Sequence, residues 1–149
     1  MTTEEKRTHH KTAVDCFNAV WELLDKDGRT AEEDLEMIHA AHCSRYHWGQ
    51  IGTDLEFQRG EWQISRVYSV LGMGESALVH AEAAYRTCVE RGIGDFDFAF
   101  ALEALARAHL VSGNGKESEK YRSMALEASS KIEEEDNREY FLSELSSIE

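Results

Sequence analysis

The segment from Trp62 to Ala84 constrains the fold more than any other stretch, because its pattern predicts a helix, a tight turn and a second helix. Gly72-Met73-Gly74 supplies the turn, and small side chains follow at Ala77 and Ala84. The chain contains no proline, the residue that most often breaks or kinks a helix. We therefore expect long helices joined by glycine and polar turns.

Helical periodicity continues on both sides of this segment. Phe17, Val20, Trp21 and Leu24 recur at the spacing of one helix face. Threonine followed by glutamate three residues later is typical of a helix start, and this pattern predicts starts near residues 30 and 53. We expect a single all-α domain over residues 1–149 with about seven helices. Its hairpins span about residues 4–48, 53–91 and 95–132, followed by a terminal helix at about 136–148.

The hairpins resemble tetratricopeptide repeats. Tyr68, Gly72, Ala77 and Ala84 stand where a tetratricopeptide hairpin carries its aromatic, its turn glycine and its small packing residues. Gly113 follows Gly72 at an offset of 41 residues, longer than the usual repeat of about 34. Two positions depart from the family pattern, with Ser65 in place of a glycine and Ser118 in place of an alanine. The resemblance implies antiparallel hairpins stacked as a right-handed array; an irregular helical bundle is the alternative.

Charge and composition exclude several classes of partner. The chain has 29 acidic and 16 basic residues, which gives a formal net charge of −13. Such a field repels phosphate backbones, so we expect no nucleic-acid partner. No apolar run approaches the length of a membrane span, and the N-terminus has no secretory signal pattern. Three widely spaced cysteines, Cys16, Cys43 and Cys88, predict reduced, packed thiols in a cytoplasmic protein.

The resemblance also predicts a binding surface, because the first helix of each tetratricopeptide hairpin lines the concave face. Arginine and tryptophan commonly anchor protein partners. In this interpretation the arginines contact carboxylates of a peptide, the tryptophan supplies apolar area and a glutamate sets orientation. Replacing Arg66 and Arg107 by alanine then abolishes binding and leaves folding intact. The alternative is that the tryptophan belongs to the core and the arginines pair with Glu103, Glu61 or Asp97. The predicted groove residues are Arg59, Trp62, Arg66, Phe100, Glu103 and Arg107, with Asp15, Asn18 and Glu22 on the first helix.

A histidine-rich helix carries a second candidate site. His39, His42 and Tyr46 share one helix face, and Glu36 precedes His39 by three residues. This spacing is used in carboxylate-bridged metal bundles, which need a second such motif. The chain has no second motif, so we predict no metal and keep Glu36, His39 and His42 as an alternative metal set. Histidines hydrogen-bonded to Tyr46 or Tyr68 are the structural explanation of the same pattern.

Sequence motifs for catalysis are absent. The chain contains no G-x-S-x-G, no phosphate-binding glycine loop and no H-E-x-x-H. We therefore expect a non-enzymatic module without a cofactor that binds a protein or peptide partner. A small-molecule or metal site around the histidine-rich helix is one alternative. A homo-oligomeric scaffold, such as a homodimer formed through the apolar edge of an end helix, is another.

Overall fold

Seven α-helices follow one another in the computed structural model, which describes residues 1–148, and this range contains no β-strand. The all-α class and the number of helices are as predicted. The helices are α1 (Thr3–Leu24), α2 (Ala31–Ile51), α3 (Asp54–Val70), α4 (Gly74–Arg91), α5 (Asp95–Val111), α6 (Gly115–Ser129) and α7 (Glu135–Ser146).

Several helix boundaries differ from the prediction. The first hairpin, predicted to end at about residue 48, ends later, since α2 continues through Gly49 to Ile51. Gly60 lies inside α3. A β-carbon there would lie 2.8 Å from Arg45 Cδ, so glycine allows α2 and α3 to approach closely. Asp95 is the first residue of α5, and Gly94 is its cap.

The helices pack as neighbouring pairs in chain order. α1 packs against α2, α3 against α4 and α5 against α6, while α2–α3 and α4–α5 contacts join successive pairs. Buried side chains form three clusters along this path. One lies between α1, α2 and α3, one between α4 and α5, and one between α5, α6 and α7 with Ile132 and Ile148. This serial core is that of an array of helical hairpins.

The 41-residue offset is visible in the backbone of the second and third hairpins. Gly72 and Gly113 both have positive φ, 75° and 82°, a conformation that glycine adopts without steric cost. After Gly72, the Met73 N–H donates to the Tyr68 carbonyl at 2.9 Å; after Gly113, the Asn114 N–H donates to the His109 carbonyl at 2.8 Å. The two turns therefore have the same hydrogen bond at equivalent positions.

The two serines that depart from the tetratricopeptide pattern make equivalent contacts in opposite directions. Ser65 on α3 donates to the Ala77 carbonyl on α4 at 2.9 Å. Ser118 on α6, equivalent to Ala77, donates to the carbonyl of Ala106 on α5, equivalent to Ser65, at 2.8 Å. Each buried hydroxyl thus gains an acceptor across its hairpin, which offsets the cost of burying it.

The same two hairpins contain equivalent Tyr–His stacks in which the two residue types occupy opposite positions. Tyr68 on α3 stacks on His80 on α4 with ring centroids 5.7 Å apart. At the equivalent positions, His109 on α5 stacks on Tyr121 on α6 at 5.5 Å. The hairpins therefore keep the contact while exchanging the two residue types.

The three cysteine thiols lie at different depths in the helical array. All three cysteines are free; Cys88 is buried, whereas Cys16 and Cys43 are half-buried. Burial raises the pKa of the Cys88 thiol to about 11. Within residues 1–148, no helix combines the length and the apolar character that crossing a membrane requires.

Candidate functional site: an aromatic cleft between the odd-numbered helices

A cleft of about 560 Å³ lies where α1, α3, α5 and α7 face one another. Each of these helices contributes side chains to it, whereas none of its lining residues comes from α2, α4 or α6. We call it the aromatic cleft, because six of its ten lining residues are aromatic. The lining residues are Phe17, Trp21, Gln58, Arg59, Trp62, Phe96, Asp97, Phe100, Asn137 and Tyr140.

The aromatic rings of the cleft form one continuous band. Trp21 on α1 lies 5.7 Å from Trp62 on α3 between ring centroids, and Trp62 meets Phe100 on α5 edge to face at 5.4 Å. Phe100 in turn contacts Phe96 at 4.7 Å and Tyr140 on α7 at 5.9 Å. Edge-to-face and tilted geometries at these distances are favourable. The band therefore joins all four helices and fixes the shape of the cleft.

An ion pair between Arg59 and Asp97 lies among these rings. Arg59 binds Asp97 through two hydrogen bonds, from Nε at 2.8 Å and from Nη2 at 3.0 Å. Gln58 donates to the same carboxylate at 2.8 Å. The Arg59 side chain is 51 % exposed and Asp97 is 13 % exposed. The hydrogen bonds that Arg59 donates to Asp97 raise the pKa of Arg59. Asp97 therefore keeps a second donor, Gln58, even without the arginine.

A buried ion cluster lies next to Trp62. Glu103, which has no exposed surface, accepts hydrogen bonds from Arg66 Nη2 at 3.1 Å, Arg107 Nε at 2.7 Å and Trp62 Nε1 at 3.3 Å. Arg66 also lies 3.6 Å from the Glu144 carboxylate. Arg107 donates to the Glu144 carbonyl at 3.2 Å. The cluster thus ties α3, α5 and α7 together.

The structure brings the predicted groove residues together but gives them two different roles. Arg59 and Trp62 line the cleft. Arg66 and Arg107 are only 11 % and 16 % exposed, and both neutralise Glu103. The expectation that these two arginines are dispensable for folding therefore conflicts with their position, because removing them leaves a buried carboxylate without a counter-charge. Glu103 has no exposed surface and is the counter-charge of both arginines.

The histidine-rich helix does not contribute to the cleft. His39 and Tyr46 are exposed, and His42 points to Tyr68, with its Nε2 2.8 Å from the phenol oxygen. Glu36 is also exposed. Within residues 1–148, no three His, Cys, Asp or Glu side chains are placed to hold one metal ion. The contact between His42 and Tyr68 agrees with the alternative prediction that histidines of this helix are hydrogen-bonded to a tyrosine.

His42 belongs to a polar network between α2, α3 and α4. Its ring centroid lies 5.4 Å from that of His80, and His80 Nδ1 lies 2.6 Å from the Glu61 carboxylate. Arg45 binds the other oxygen of Glu61 at 3.2 Å. Burial, together with the nearby His80 and His39, lowers the pKa of His42, and Glu61 opposes this only in part.

This shift predicts a pH dependence of stability. A histidine with a lowered pKa in the folded state binds protons more readily when unfolded, so its contribution is fully present above about pH 6.5 and is lost as the pH falls through the folded-state pKa. We expect the urea midpoint to fall between pH 7.5 and pH 5.5, and to fall less in His42→Gln than in the wild type. His10→Gln, an exposed control on α1 that is not part of this network, should keep the wild-type slope. Equal slopes in all three proteins would contradict this assignment.

Sequence reasoning missed four aromatic residues of the cleft. Phe17 and Trp21 were assigned to the packing face of α1, and Phe96 and Tyr140 were not considered. Asp15, Asn18 and Glu22, the positions predicted to face the groove from α1, are exposed and do not line the cleft. The even-numbered helices also carry aromatic residues, so no pattern in the sequence singles out these four side chains.

Comparisons with known proteins assign no family to this arrangement. No protein-family model matches the chain, and neither a curated protein nor a solved structure does so. The resemblance to tetratricopeptide repeats stays a prediction from the sequence, beside an observed array of paired helices.

Proposed function

We propose that the chain is a non-enzymatic, tetratricopeptide-like module that binds a peptide segment of a partner protein in the aromatic cleft. The observation that carries this proposal is the convergence of α1, α3, α5 and α7 on one cleft lined by six aromatic rings. Tyr140 remains 49 % exposed at its edge. A partly exposed aromatic surface with polar groups at its margin is typical of a binding site.

The chemistry of the cleft favours binding over catalysis. Its polar groups are a paired arginine and aspartate and two amides, Gln58 and Asn137. Aromatic side chains offer a large contact area at low conformational cost, and the Asn137 amide offers hydrogen bonds to a peptide backbone. Gln58 is buried and already donates to Asp97. These groups suit recognition of an extended or helical segment whose side chains enter the cleft.

Filling the cleft should abolish binding without unfolding the protein. Asn137 lines the cleft from α7, so Asn137→Phe places a ring in the space that a ligand would occupy. We expect peptides selected from a random displayed library on the wild-type protein to bind Asn137→Phe at least about tenfold more weakly. Ser143→Phe is the matched control, because Ser143 is exposed on the same helix and does not line the cleft.

The selection should include a counter-selection on Asn137→Phe, and both variants should be checked for wild-type helical content. Peptides that lose affinity for Asn137→Phe and keep affinity for Ser143→Phe would support the cleft as the site. A selection that yields only peptides binding all three proteins equally would refute the proposal.

A further inference from the structure

The charges around the aromatic cleft indicate which kind of peptide it accepts. The three arginines predicted to grip carboxylates are already paired: Arg59 with Asp97, and Arg66 and Arg107 with Glu103. An acidic ligand would have to displace one of these carboxylates, and the partner in two of the three pairs is buried. An acidic ligand would therefore gain little binding free energy from these arginines.

A cationic ligand, in contrast, is attracted by the charge of the helices around the cleft. On each of the four helices that form the cleft, acidic residues outnumber lysines and arginines, and the whole chain has a formal net charge of −13. α7, which forms one wall, carries Glu135, Asp136, Glu139 and Glu144 against one arginine. Such a field raises the local concentration of cations and speeds their association.

The rings themselves are suited to a cation. The face of an aromatic ring carries partial negative charge and attracts an ammonium or guanidinium group within about 6 Å of its centroid. The protein already uses this contact beside the cleft, where the Arg66 guanidinium lies 5.3 Å from the centroid of Trp62. Tryptophan is the best partner for such a contact, and Trp21 and Trp62 both line the cleft.

We infer that the cleft selects a basic peptide segment and seats an arginine or lysine side chain against the Trp21–Trp62–Tyr140 surface. This inference rests on the proposed function and specifies its ligand class. In this arrangement Arg59 opposes the ligand, because its positive charge stands at the cleft and occupies the carboxylate of Asp97.

The consequence for Arg59 distinguishes a basic ligand from an acidic one. Arg59→Ala removes a repelling charge and leaves Asp97 available to the incoming cation, while Gln58 continues to donate to Asp97. We expect cleft-dependent peptides to bind Arg59→Ala about threefold to tenfold more tightly at low salt. If an acidic peptide used Arg59, the same change would weaken binding.

Arg91→Ala is the matched control for net charge. Arg91 on α4 is 62 % exposed and pairs with Asp54, and it does not line the cleft. We expect Arg91→Ala to change the affinity for these peptides by less than about twofold. Replacing the arginine or lysine of the selected peptide by methionine, which keeps an apolar stem, should weaken binding to the wild type about tenfold.

The experiment uses peptides selected on the wild-type protein with Asn137→Phe as the counter-selection. Cleft-dependent peptides that are enriched in arginine and lysine, and that bind Arg59→Ala more tightly, are the expected result. Cleft-dependent peptides that are neutral or acidic, or that bind Arg59→Ala more weakly, would overturn the basic-ligand inference and leave the proposed function standing. Failure to obtain any cleft-dependent peptide would overturn the proposed function itself.

Discussion

Replacing both Arg66 and Arg107 by alanine is expected to lower the free energy of unfolding by at least about 3–5 kcal/mol, the usual cost of stranding one member of a buried ion pair. Glu103 has no exposed surface and would keep only the hydrogen bond from Trp62, which lies at 3.3 Å. Since many domains have a total stability of about 5–15 kcal/mol, this loss is a large fraction of the total. Urea unfolding followed by circular dichroism measures this loss.

A third substitution separates the effect of charge from the loss of packing. Glu103→Gln in the Arg66→Ala/Arg107→Ala background removes the uncompensated charge and keeps the size of the side chain. We expect this triple variant to regain about 1–2 kcal/mol relative to the double variant, because a neutral amide is less costly to bury than a carboxylate. A double variant with wild-type stability would show that the two arginines do not support Glu103 and are free for a ligand.

Alanine at Gly74 is expected to destabilise the protein by about 2–3 kcal/mol, whereas alanine at Gly115 should not. A β-carbon at Gly74 would lie 2.9 Å from both the Cα and the backbone nitrogen of Ser112. Backbone atoms cannot move aside like the end of a side chain, so the contact between the start of α4 and the end of α5 must open. The gain in helix propensity, up to about 1 kcal/mol, offsets only part of this cost.

Gly115 is the matched control for Gly74 because it lies 41 residues later, at the equivalent position of the third hairpin. A β-carbon there would meet no atom within 4 Å. We expect Gly115→Ala to be neutral or to stabilise by up to about 1 kcal/mol. The pair therefore tests whether the second hairpin packs against the third through its turn. Equal effects of the two substitutions on the thermal midpoint would contradict that arrangement.

The fold could be predicted from the sequence to a large extent, because its determinants are local. Turn glycines such as Gly72 and Gly113 and the capping pair Thr30–Glu33 act within a few residues, so their spacing shows directly in the sequence. Ala77 and Ala84, the small side chains predicted to follow the turn, are fully buried on α4. The end of the first hairpin was predicted less well, since α2 runs to Ile51 and not to about residue 48.

The candidate site was predicted less well because its determinants are distant in sequence. The pairing of Arg66 with Glu103 joins residues 37 positions apart. The sequence offered this pairing only as an alternative to groove contacts, because no local pattern decides between the two. Phe17 and Trp21 share the period of the packed face of α1, so periodicity alone cannot separate core rings from rings that line a cleft. The site predicted on the histidine-rich helix was not found for a different reason. His39 and His42 share a helix face, but only His42 contacts a neighbouring helix.

If the aromatic cleft is the ligand site, ligand binding must change the indole N–H resonances of the tryptophans that line it. Trp21 and Trp62 line the cleft, whereas Trp48 does not and packs against His10. In a titration of ¹⁵N-labelled protein with a selected peptide, we expect the Trp21 and Trp62 signals to shift with one common dissociation constant while the Trp48 signal stays nearly constant. A titration that shifts only Trp48, or none of the three, would contradict the account.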